Sequence, residues 1–239
     1  MRHWMDVKTI ENIQQLVGLA DELAIEYGSK VWWRGHSRSE FELVPGAFRQ
    51  RKDRFAEANR LRRFLRQAPM RRPDCPASDN LDAWLFLAQH YGLPTRLLDW
   101  SESPLVATFF AIDQDPAQDG TLWALFPSAL NATQIQRSVI LSPQSTVHHG
   151  EIEGSQFDHG DGRFVAWHLF EEAFDETFPG TNGVFSLLPG ELDARMQQQL
   201  SVFTIHGTNE PLEEIFPSVV RKVSISASTK LDLVASTAG

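Results

Sequence analysis

The stretch from Gln89 to Phe110, QHYGLPTRLLDWSESPLVATFF, constrains this 239-residue chain more than any other. Leu97, Leu98, Trp100, Leu105, Val106 and Phe109 offer core side chains, yet His90, Tyr91, Thr95, Arg96, Asp99 and Ser101 are threaded between them. Guanidinium and carboxylate groups are costly to bury unless paired and hydrogen-bonded. Such a segment is therefore either a satisfied internal network or a site. Arg96 and Asp99 stand three apart and would pair across a helical turn, which makes Asp99 a structural partner. His90 closes a helical pattern, where the helix dipole favours a protonated imidazole.

The flanking pattern is mixed. Residues 9–27 repeat apolar side chains at helical spacing between Thr9, a candidate N-cap, and Gly28. VWWRGHS (31–37) reads as a strand, broken or closely approached at Gly35. Residues 53–67 form an amphipathic helical pattern, and Asn80 can cap LDAWLFLAQHY. Ser103-Pro104 opens a helix whose expected buried face is Leu105, Val106, Phe109 and Phe110. TLWALFP, VFSLLP, SVFTIHG and VVRKVSIS read as strands, LDARMQQQL and LEEIF as helical, and RFVAWHLF as either. The expected fold is α+β, a single mixed domain with a central, mostly antiparallel sheet flanked by helices. Its sheet carries Trp33, Trp123, Val184, Phe203 and Val223.

Composition narrows the function classes. One cysteine, Cys75, excludes an internal disulfide, and no apolar run approaches a signal peptide or a membrane span. A soluble, cytoplasmic protein is expected. The net charge of -9 argues against a whole-surface nucleic-acid binder. Ten of the 22 Lys and Arg residues nevertheless fall between Arg49 and Arg72. That segment is either a solvated helix face or a docking face for an acidic partner. His148, His149 and His159 lie in a polar stretch over 138–162 without convincing ligand spacing, so no metal site is expected. No phosphate-loop or Rossmann glycine pattern occurs.

Three stretches resemble the FRG domain, a bacterial family named for a Phe-Arg-Gly motif. In VWWRGHSRSEFELVPGAFRQ, Trp33 replaces the Phe while Arg34, Gly35, His36 and Ser37 remain. HYGLPTRLLDWSESPLVATFFA matches closely over 22 residues from His90. RMQQQLSVFTIHG is similar to a third motif through Arg195, Gln199 and Phe203, with Ser201 where the family usually has Gly. The resemblance divides the chain into an N-terminal helical segment (1–29), an FRG-like domain (30–226) and a C-terminal tail (227–239).

An aromatic-Arg-Gly strand is also similar to the first core motif of ADP-ribosyltransferases, which implies a pocket for NAD, the candidate cofactor. On that reading Arg34 and Arg96 hold phosphate through their planar forks, beside Gly35. His36 and Thr95 hydrogen-bond ribose, and Tyr91 or a Trp stacks on a ring. Gln199 and His36 are then the catalytic candidates. An amide at 199 lacks the charge of the transferases' Glu, a role for which Glu191 and Asp193 are substitutes. His90, Asp99 and Arg195 form the structural network. The alternative is a non-catalytic interaction or regulatory module. A Ser/His/Asp hydrolase built from Ser37 or Ser101, His36 or His90, and Asp99 is disfavoured by the missing Gly-x-Ser-x-Gly elbow.

Overall fold

The computed structural model describes residues 8–49, 56–142, 162–175, 182–190 and 200–237. Helix α1 (Ile13–Tyr27) starts at Asn12, whose side chain accepts from the Gln15 N–H, and ends at Gly28 with φ 57°. Thr9 is therefore not the cap: it lies in β1 (Lys8–Thr9). β2 (Trp32–His36) is followed by the short helix α2 (Gly46–Arg49) and by α3 (Ala56–Gln67). Next come α4 (Leu81–His90), β3 (Leu97–Ser101), α5 (Pro104–Ile112), β4 (Gly120–Leu125) and α6 (Pro127–Ile135). α7 (Gly162–Phe174) settles RFVAWHLF as helix, and β5 (Val184–Leu187) and β6 (Ser201–His206) follow. The chain continues through α8 (Leu212–Ile215), β7 (Val220–Ile225) and α9 (Ala227–Thr237). The expected C-terminal tail is thus helical, whereas LDARMQQQL lies outside the described residues.

Among the described residues the strands form one open sheet in the order β1-β7-β4-β2-β3-β6-β5. Only β1 and β7 run parallel; the other neighbours are antiparallel. This is the expected α+β domain. Alternation along the strands divides the core between the two faces. On one face, Trp33, Leu122, Ala124 and Val223 pack under α1, α5 and α9, while Leu97, Phe203, Ile205 and Phe185 pack under α3, α4 and α7. On the other, Trp32, Leu98, Trp100 and Leu125 meet α6, α8 and the loop carrying Leu43.

Two expectations fail here for physical reasons. The segment from Leu97 to Ser101 is a strand, so Arg96 and Asp99 do not meet across a helical turn. α5 also buries Ala107, Thr108 and Ala111 and exposes Leu105, Phe109 and Phe110. The cause is Gly35. A Cβ there would lie 1.9 Å from the Ala107 carbonyl oxygen and 2.7 Å from the Ala111 nitrogen. Backbone meets backbone at that point, which only small residues on both elements permit. The large side chains are rotated outward.

Candidate functional site

The sheet is open at its centre. β2 pairs along its length with β4, and β3 along its length with β6, but β2 and β3 share only the register pair Trp33–Ser101. Beyond that pair the strands part, and ladder groups there need other partners. Arg34 supplies one: its Nη1 donates to the Asp99 carbonyl oxygen across the fork at 2.5 Å. A cavity of about 620 Å³ opens at the fork, walled by Arg34, His36 and Asp99 and by the aromatic rings of Phe41, Phe48 and Phe110. A second recess of about 460 Å³ adjoins it, and the two share Arg34, Arg49 and Asp99. These volumes suit small ligands.

Arg34 is held before any ligand arrives. Its Nε–H donates to His36 Nε2 at 3.0 Å, while His36 Nδ1 lies 3.1 Å from the Phe41 carbonyl. A carbonyl only accepts, so the proton sits on Nδ1 and the ring is neutral. Burial, reinforced by the neighbouring Arg34 charge, lowers the His36 pKa to about 3. Burial and nearby Arg49 lower Arg34 to about 10, against the opposing pull of Asp99, so it remains a cation at neutral pH. The remaining N–H groups of the Arg34 fork meet no protein acceptor within hydrogen-bond distance among the described residues.

Arg49 is the second cation. Its Nε bonds the Val44 carbonyl at 2.9 Å from the end of α2. That helix sits against the Pro94–Thr95 turn, where the Ala47 N–H bonds the Thr95 carbonyl and Gly46 leaves room for Pro94. The contact carries the first motif onto the second. The cavity rim is tied to the C-terminal helix. The fully buried Lys230 of α9 donates to the carbonyls of Ser37, Gln114 and Asp115, and Asp115 holds Ser37 and Arg38 through its carboxylate. Burial lowers the Lys230 pKa, opposed by Asp115 and Asp119.

The polar residues of the opening stretch divide into two sets. In the first, the Leu97 N–H bonds Thr95 Oγ1, the Thr95 hydroxyl donates to Gln89 Oε1, and Gln89 Nε2 donates to Asp99 Oδ2 at 2.7 Å. Asp99 has 53% of its side chain exposed and lies 4.0 Å from Arg34 Nη1. It is a cavity carboxylate rather than a buried one. In the second set Arg96 is buried against two carboxylates. It meets Glu57 through Nε and its backbone N–H, and Glu172 through Nη1, all at 2.7–3.0 Å. Burial raises the Glu57 pKa, opposed chiefly by Arg96.

The expected ligand residues are therefore only partly brought together. Arg34, Gly35 and His36 line the first cavity, but the Gly35 gap is filled by α5 and both His36 ring nitrogens are engaged. Thr95 and Arg96 are buried away from both recesses, and Tyr91 lies beside Phe64 and bonds Arg72. His90 ends α4 edge-on to Tyr91. Gln199 and Arg195, with Glu191 and Asp193, lie outside the described residues, as do His148, His149 and His159. Ser37 donates to Asp115, so it forms no nucleophile–base couple with His36. No group of three metal-ligating side chains occurs among the described residues. Arg49 and Gln89 enter the site without having been singled out from sequence, although both lie inside the segments quoted there.

These elements coincide with a family match. The FRG domain model matches residues 29–120, from β2 through α5. The chain carries an FRG domain. Both arms of the fork, Arg34 to His36 and Gln89 to Asp99, fall within it. No curated protein and no solved structure matches the chain. No helix among the described residues is long and apolar enough to cross a membrane.

Proposed function

We propose that the fork in this FRG domain binds a nucleotide, with its phosphates on Arg34 and Arg49 and its ring against the aromatic wall. The supporting observation is the placement of two guanidinium groups where both recesses meet, one of them preset by a neutral histidine. Planar forks make bidentate, charge-assisted bonds to phosphate oxygens. His36 acts as a positioning residue for Arg34. NAD is the first nucleotide to test, because the aromatic-Arg-Gly strand resembles that of ADP-ribosyltransferases. These features support binding; a transfer reaction needs a contribution from the Gln199 region.

Thermal unfolding with AMP, ADP, ATP and NAD tests the reading. A ligand at a hundred times its Kd stabilises by about 2.7 kcal/mol, or about 5–10 °C in a domain of this size. Exposed Arg49 can be changed without disturbing the core, so Arg49→Ala should fold normally and lose the shift. No shift with any of the four nucleotides would overturn the proposal.

An interaction module is the second reading, favoured by the exposed Leu105, Phe109 and Phe110 on α5 and by exposed Arg63 and Arg66 on α3. Loss of an acidic partner on Arg63→Glu with Arg66→Glu, with nucleotide shifts absent, would select it.

A further inference from the structure

The two recesses differ in chemistry, and that difference restricts the ligand class. The larger one is walled by Phe41, Phe48 and Phe110, whose rings offer apolar surface to a heterocycle. Beyond the shared Arg34, Arg49 and Asp99, the smaller one is formed by Gly46, Gly92, Leu93, Pro94, Leu97 and Leu98 with Gln89 as its further polar group, and holds no aromatic side chain among the described residues. A ring entering it would find no stacking partner.

Its polar groups are organised instead to receive hydroxyls. The amide of Gln89 is oriented from one end: Thr95 Oγ1 accepts from the Leu97 N–H and so gives its own proton to Gln89 Oε1. Gln89 Nε2 must then face Asp99, fixing Oδ2. Asp99 Oδ1 meets no protein donor within hydrogen-bond distance among the described residues. An ionised carboxylate offers only acceptor sites, so the group that completes it must donate. Hydroxyl groups do this without adding charge beside the Arg34 cation.

We infer that the ligand is a nucleoside diphosphate bearing a sugar. The base lies in the aromatic recess, the diphosphate on Arg34 and Arg49, and the hydroxylated, non-aromatic sugar against Asp99. The inference rests on the proposed nucleotide site and specifies its second half. Asp99 becomes a specificity residue and the Gln89–Thr95 relay its positioning device.

Calorimetric titration with ADP, ADP-ribose and NAD separates this inference from the reading beneath it. ADP should bind, and ADP-ribose should bind about tenfold more tightly, the effect of one hydrogen bond to a charged group. NAD, whose added ring has no aromatic wall to meet, should bind no more tightly than ADP-ribose. In Asp99→Ala, whose side chain is half exposed, the ratio of the ADP to the ADP-ribose Kd measured within the variant should fall to about one. ADP binding without that preference would overturn the inference and leave the nucleotide site standing. A preference that survives in Asp99→Ala, or NAD binding tenfold above ADP-ribose, would also overturn it. Failure of all three ligands to bind would remove the site and the inference together.

Discussion

Replacing Gly35 by alanine adds one methyl group where the backbones of β2 and α5 meet. The new Cβ would stand 1.9 Å from the Ala107 carbonyl oxygen and 2.7 Å from the Ala111 nitrogen, with the Ala107 carbonyl carbon at 3.0 Å. All three are main-chain atoms of α5, so no rotamer change relieves the contact. Helix or strand has to shift. Overpacking a well-packed core costs about 1–3 kcal/mol, and a clash with backbone belongs at the upper end or beyond. At about 2–4 °C per kcal/mol for a domain of this size, Gly35→Ala should lower Tm by at least about 6 °C. Circular dichroism melts of the two proteins without ligand make the comparison. The same Tm in both, with ligand binding lost only in the variant, would refute the packing role and return Gly35 to direct ligand contact.

Other expectations follow from the same contacts. Arg96→Ala removes the buried guanidinium that pairs with Glu57 and Glu172, and breaking a buried pair in this way costs about 3–5 kcal/mol, read as a large fall in urea midpoint. Phe109→Ser should change Tm by no more than about 2 °C, because the ring is 55% exposed and surface changes stay near 0.5 kcal/mol. Stability should fall with acid below pH 6.5. His36 and His206 are held at about 3 by burial, so the unfolded chain takes up protons that the folded chain refuses. Each histidine removes about 1.4 kcal/mol per pH unit between 6.5 and 3, while the raised Glu57 acts in the opposite sense nearer pH 4.5. Urea titrations at pH 7, 6 and 5 read the slope, and His206→Asn should halve it.

Much of the sheet was legible because its strands are bulky, apolar and bounded by turn residues, as in Gly120–Leu125 and Ser201–His206. β3 was hidden because Thr95 and Arg96 precede it and Asp99 interrupts its apolar run, and their partners Gln89, Glu57, Glu172 and Arg34 are distant in sequence or on other elements. The orientation of α5 was hidden too: periodicity marks apolar positions, but only the contact with Gly35 determines which of them face inward. In the candidate site, the motif pointed to Arg34, which lies on the cavity wall. The work of His36 was not readable, since it depends on a carbonyl five residues later that closes a loop back onto the ring. Arg96 illustrates the general difficulty. A guanidinium that binds phosphate and one that neutralises buried carboxylates look the same until its neighbours are known.

A crystal structure of the domain with ADP is the most direct test of the fork as a nucleotide site. The account predicts phosphate oxygens within hydrogen-bond distance of both Arg34 and Arg49, with the His36–Arg34 and His36–Phe41 bonds unchanged. ADP bound elsewhere, or a fork left empty at saturating ADP, would contradict it.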